Sequence, residues 1–118
     1  MAGMTGRLLL AGALAVSAGS ALAHHGWNSY DASEALTLTG SIAEANYENP
    51  HGTIRLQTGE KLWLVVLAPP FRMRNRGLPP EALTVGETAP VVGYAHKSEA
   101  DELRAERIVI GGASVELR

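Results

Sequence analysis

The side chains best able to do chemistry in this sequence are its four imidazoles. His24 and His25 follow directly on Ala21-Leu22-Ala23, His51 sits in the run Asn49-Pro50-His51-Gly52, and His96 lies just beyond Gly93-Tyr94-Ala95. If the chain is cut after Ala23, His24 becomes its first residue and carries a free α-amino group. An amino-terminal histidine can close a chelate ring on Cu(II) with its amine and its imidazole, and copper favours nitrogen ligands in square geometry. His25 adds a second chelate mode through its imidazole and the intervening amide nitrogen. His51 could complete a three-nitrogen site if the segment after His25 folds over the Asn-Pro-His-Gly turn. The sequence therefore points to copper held by His24, His25 and His51, with His96 as a further candidate. Asp31, close to the histidine pair in sequence, could orient an imidazole as ligating histidines commonly require. There is no cysteine, and Met73 is the one methionine after residue 23, which argues against a Cu(I) site of the thiolate or thioether kind.

A metal-free reading uses neighbouring residues. Free histidines in turns are ordinarily solvated or bonded to backbone, and residues after a secretory signal are commonly small or polar. On that reading Trp27, Tyr30 and Tyr47 form a face that holds a protein or a small ligand. The His24-His25-Gly26-Trp27 run is then a docking arm, and Trp27 and Tyr30 can equally staple that arm to the rest of the fold. A third reading is an oxygenase built on a histidine brace. It needs a substrate surface that a chain this small offers poorly, and whether the protein is an enzyme stays open.

Each metal reading depends on the first 23 residues being removed. They comprise a short start carrying Arg7, an apolar stretch from Leu8 to about Ala15, and a small-residue end with an A-x-A pattern, which together make a secretory signal peptide. The apolar run is too short to span a bilayer, which takes about 20 apolar residues. Arg7 stands alone rather than in a twin-arginine pair, so export precedes folding. The expected product is periplasmic or secreted, with no membrane attachment after cleavage.

Taking residues 1–23 from the 118 leaves 95, with 9 Lys+Arg against 12 Asp+Glu. That length suits one domain. The acidic balance gives no reason to expect nucleic acid or an anionic membrane as partner. A metal ion, a periplasmic protein or a small ligand are the partners that remain.

Residues 24–35 carry no apolar period and read as an irregular arm before a domain at 36–118. From Leu36 the pattern is period two, with Gly40 inside it as a candidate bulge or sharp coil that lets the strand bend around a small barrel. A turn at residues 49–52 leads to a strand at Thr53–Leu56. The hairpin turn Thr58-Gly59-Glu60-Lys61 leads to a third strand at Leu62–Leu67, apolar enough to suggest burial on both faces or a central position, with Trp63 in the core. Pro70 suits the start of a short helix over Phe71–Leu78, closed at Gly77. Strands at Ala89–Tyr94, Leu103–Ile110 and Ser114–Leu117 complete the order. Three strands, one short helix, then two or three strands is the layout of a mostly β, OB-like barrel of five to six strands, the helix falling between strands 3 and 4.

Several short runs together resemble a group of small exported bacterial proteins classed as a domain of unknown function. They are His24-His25-Gly26-Trp27, Leu38-Thr39-Gly40, Glu48-Asn49-Pro50-His51, Leu67-Ala68-Pro69-Pro70, Arg76-Gly77-Leu78, Val92-Gly93-Tyr94 and Arg104-Ala105-Glu106-Arg107-Ile108. The resemblance spans essentially all of the chain after residue 23 and implies no reaction or ligand. It departs at Ala95, where the family is expected to place a proline before the histidine.

Other polar groups read as ordinary surface. On a helix Arg72 and Arg76 share a face while Arg74 points away, so the three arginines make a solvated face rather than one anion clamp. Glu99, Asp101, Glu102 and Glu106 cluster about a hairpin end, as solvated turns do. No Ser/His/Asp order, nucleophile elbow or phosphate-cradling glycine loop is present.

Overall fold

Alternating side chains of an extended chain point to opposite faces, so a run such as Leu36-Thr37-Leu38-Thr39 buries one face and wets the other. This is the burial observed in the first half of β1 (Leu36–Asn46). The structure is a computed structural model that describes residues 26–118; His24, His25 and the segment 1–23 lie outside the described residues. After β1 come β2 (Thr53–Thr58), β3 (Lys61–Val66), the helix α1 (Pro70–Asn75), β4 (Thr88–Ala95), β5 (Glu102–Ile110) and β6 (Ala113–Glu116). β1 pairs antiparallel with both β2 and β4, β2 with β3, and β4 with β5. A parallel pairing of β3 with β5, through Leu64↔Glu102 and Val66↔Arg104, closes these five strands into a barrel. β6 is an added strand along β5. This is the OB-like order, with the helix between strands 3 and 4 as the chain pattern predicts.

Closing so small a sheet requires sharp strand bends, and two glycines stand where backbones nearly touch. A Cβ on Gly40 would lie 2.2 Å from the Gln57 carbonyl oxygen, and one on Gly93 would lie 2.2 Å from that of Arg104. Gly40 is thus needed for close approach and is not the bulge. The register shifts in β1 between Ile42 and Glu44, and in β4 between Val92 and Gly93.

The barrel is filled by Ile42, Ile54, Leu56, Val65, Val91, Leu103 and Ile108, all fully buried. α1 plugs it with Met73, and Leu67, Leu78 and Leu117 seal the same cluster. The helix is shorter than the apolar spacing predicts. It begins at Pro70 and ends at Asn75, because Gly77 takes a left-handed conformation (φ 87°) and the Leu78 amide turns back to the Met73 carbonyl. The third strand has the central position its apolar run suggests, paired on both sides, and Trp63 packs partly buried against the core cluster with Lys61 Nζ 3.8 Å from its ring centre; Leu62, 43% exposed, departs from burial on both faces. An apolar run signals a strand that lacks a free edge here, and the barrel wall still gives it one outward face.

Candidate functional site

The arm before β1 is docked on the barrel. Trp27–Ser29 form one 3-10 turn, after which Tyr30 bridges to His96 beyond the end of β4. The Asp31 amide donates to the Ala95 carbonyl at 2.8 Å, and the Lys97 amide donates to the Ser29 carbonyl at 2.9 Å. Tyr30 is 2% exposed, and its hydroxyl donates to the Glu102 carboxylate. Burial first, and then Glu102, push its pKa well above the ordinary tyrosine value. Its ring meets the His96 ring edge-on at 5.0 Å.

Trp27 is held by rings and cations together. Its ring lies edge-on to Tyr30 at 6.4 Å and to Tyr94 at 6.1 Å. The guanidinium carbons of Arg104 and Arg118 lie 4.5 and 4.3 Å from its centre. Such contacts are worth about 0.5–2 kcal/mol each, more as water is excluded. Arg104 is only 5% exposed. Its Nη2 also lies 3.3 Å from His51 Nε2.

A guanidinium can only donate, so Nε2 of His51 accepts and the ring proton sits on Nδ1. Burial first, then the charges of Arg104 and Arg72, hold the His51 pKa below its ordinary value, so the ring is neutral near pH 7. The turn that carries it is fixed from both sides, since the Gly52 amide donates to the Ala68 carbonyl and the Leu67 amide donates to the Gly52 carbonyl, each at 2.8 Å. Arg104 thus joins the arm to His51, touching Trp27 and Tyr30 on one side and the imidazole on the other.

The remaining candidates are placed differently. His96 Nδ1 accepts the Ser98 and Glu99 amides at 3.1 and 3.0 Å, so this imidazole caps the β4–β5 loop and its proton lies on Nε2. Tyr47 donates its hydroxyl to the Leu78 carbonyl at 2.6 Å beneath Arg74, 5.3 Å from the ring centre, which ties the β1–β2 loop to the segment after α1. It is therefore not brought against Trp27 by any described contact. Asp31 accepts both the amide and hydroxyl of Ser33, and these bonds lower its pKa. Arg72 and Arg76 do share a face, which is spent on the carbonyls of Leu117, Glu116 and Arg118. Among the described residues, no three His, Asp or Glu side chains converge as a metal site.

Arg104, Arg118 and Tyr94 have no place in the sequence-based site. On β5 Arg104 alternates with the buried Leu103 and Ala105, which reads as a solvated outward position. It is buried because a segment about 75 residues earlier in the chain lies over it, and only the three-dimensional pairing shows that.

A closed OB-like barrel with an aromatic arm strapped across a buried arginine and a neutral imidazole is the class of protein these features define. The chain belongs to a family of unknown function (DUF6152), whose model matches residues 12–104. No curated protein and no solved structure gives a match.

Proposed function

We propose that the protein is an exported binding module that takes Cu(II) at the amino terminus created by cleavage after Ala23. The observation that supports this reading is the anchoring of Trp27 to Asp31 against the barrel, with Trp27 lying against Arg104, whose guanidinium also meets His51. His24 lies two residues before Gly26, a reach of about 7 Å in extended chain. The amine and imidazole of His24, with the His25 amide and imidazole, supply the nitrogen set that Cu(II) prefers. Neutral His51 is the third imidazole. Its Nε2 lone pair accepts from Arg104, so copper binds there by exchanging with that guanidinium.

Calorimetry with Cu(II) on protein beginning at His24, against protein with one extra residue before it, tests the amine directly. The expected result is binding at least about 100-fold tighter for the authentic start, a gap of roughly 2.7 kcal/mol. Equal affinity for the two forms overturns the reading. In the chelate's ligand order, His51→Ala weakens copper less than blocking the amine does.

A metal-free interaction module is the second reading, favoured by one observation. Burial first, and then the charges of Arg104 and Arg72, depress the His51 pKa, and Arg118 lies against the tryptophan that Arg104 touches, so the imidazole sits in a positive field that opposes a cation. Failure of the authentic protein to bind Cu(II) tighter than micromolar selects this reading.

A further inference from the structure

Among the described residues β6 is the one strand with a neighbour on a single side, so the sheet that the barrel closes opens again along its outer edge. Which backbone groups lie on that edge follows from the register. β6 runs antiparallel to β5 with Val115 opposite Ile108 and Glu116 opposite Arg107, and one step further the Leu117 amide donates to the Glu106 carbonyl at 2.8 Å. In such a pair, residues bonded to the neighbouring strand alternate with residues whose backbone points away from it. Leu117, Val115 and Ala113 therefore turn their amides and carbonyls towards β5, whereas Ser114 and Glu116 turn theirs outward. An edge of this kind is a template for one more strand.

The outward row is not left bare. Arg76 Nη1 reaches from the end of α1 and donates to the Glu116 carbonyl at 2.8 Å and to the Arg118 carbonyl at 3.0 Å. The strand that matches the row is β6 of a second copy. Ser114 and Glu116 are two residues apart, so a two-fold axis beside Val115 sets each Ser114 against Glu116 of the other copy, an isologous pairing. Each of the two pairs exchanges both its hydrogen bonds, no like charges stand opposite, and each Glu116 carboxylate keeps its ion pair with Arg107 of its own chain. Both pairs require the Glu116 carbonyl, the acceptor that Arg76 holds. We propose that Arg76 is a gatekeeper, which keeps the edge of β6 from pairing with a second copy of this chain. Met73 and Leu78, buried on either side of it in sequence, fix the segment from which it reaches. The guard is independent of the proposed copper chelate.

Sedimentation velocity and amide exchange on protein starting at His24, with a chelator present to exclude metal, compare the natural chain with Arg76→Ala. Arg76 is exposed, and its replacement removes no buried group. The expected result is self-association at least about tenfold tighter in Arg76→Ala, the worth of one charge-assisted hydrogen bond. The Ser114 and Glu116 amides should exchange more slowly as the variant's concentration rises. Adding Ser114→Pro, which takes an outward amide from an edge strand and leaves the β5 ladder whole, should return Arg76→Ala to the monomer. If Arg76→Ala does not fold, Arg76→Gln makes the same comparison. Self-association equal in the natural chain and the variant, a dimer whose Ser114 and Glu116 amides stay unprotected, a dimer that survives Ser114→Pro, or assembly beyond a dimer each overturn the proposal.

Discussion

Two segments close against this barrel, and different forces hold them. α1 is held by burial: Met73 and Leu78 lie wholly inside the apolar cluster, and the Arg72 and Arg76 guanidinium groups fasten the C-terminal carbonyls behind it. The arm is held by edge-on rings, two guanidinium groups, a hydroxyl-carboxylate bond and two backbone hydrogen bonds, with Tyr30 the one buried side chain among its described residues. Apolar burial contributes to global stability, whereas a strap of polar and aromatic contacts can open without unfolding what lies beneath. The plug therefore maintains the fold, and the arm is the part able to open on its own.

The sharpest way to break that contrast is to hollow the plug. Met73→Ala should cost about 2–5 kcal/mol in urea denaturation, with the Trp27 environment little changed in the folded state. A loss under about 1 kcal/mol would mean the helix is not what seals the barrel. Next, Arg104→Gln removes the contact that joins Trp27 to His51. Exchange of the Asp31 and Lys97 amides should speed up by about 10–100-fold, which is about 1.4–2.8 kcal/mol of local opening. Amides in β1 and β2 should keep their protection. If those strands lose protection in parallel, the arm and barrel form one cooperative unit.

A smaller change, Tyr30→Phe, deletes the hydroxyl that donates to Glu102 and should cost about 1 kcal/mol. It should loosen the arm by a lesser factor than Arg104→Gln does. The smallest effect is a pH slope. His51 is held neutral in the fold with its pKa below 6.5, so the unfolded chain takes up the proton first. Stability should be complete above about pH 6.5 and decline as the pH falls towards the depressed folded value. His51→Gln should flatten that decline in urea midpoints measured across the window.

The barrel was legible because it is written locally. Period-two alternation in Leu36–Ile42, the turn residues at 49–52 and 58–61, and Pro70 before a short helical spacing define elements from neighbours a few positions apart. The errors arose where distant chain segments set the outcome. Gly40 suggests a bulge or a sharp coil from its own strand; the bulge falls at Ile42–Glu44 instead, and what demands a glycine at 40 is the Gln57 carbonyl across the sheet. Leu62 looks like core from its apolar neighbours, yet it faces outward on a barrel wall. In the site, His51 and Trp27 stand out by residue type. Arg104, which connects them, looks like any exposed arginine on a half-buried strand, because nothing local to β5 announces the arm that covers it.

The hydroxyl of Tyr30 and the carboxylate it reaches are 72 positions apart, and this separation imposes an order of assembly. Synthesis delivers the arm before any strand exists for it to rest on. The seat is finished only when β4 and β5 have come together and Glu102 and Arg104 are in place. The first part of the described chain to be made therefore has no seat until β5 is present, and a molecule halted before β5 is added would carry its aromatic segment with nowhere to dock.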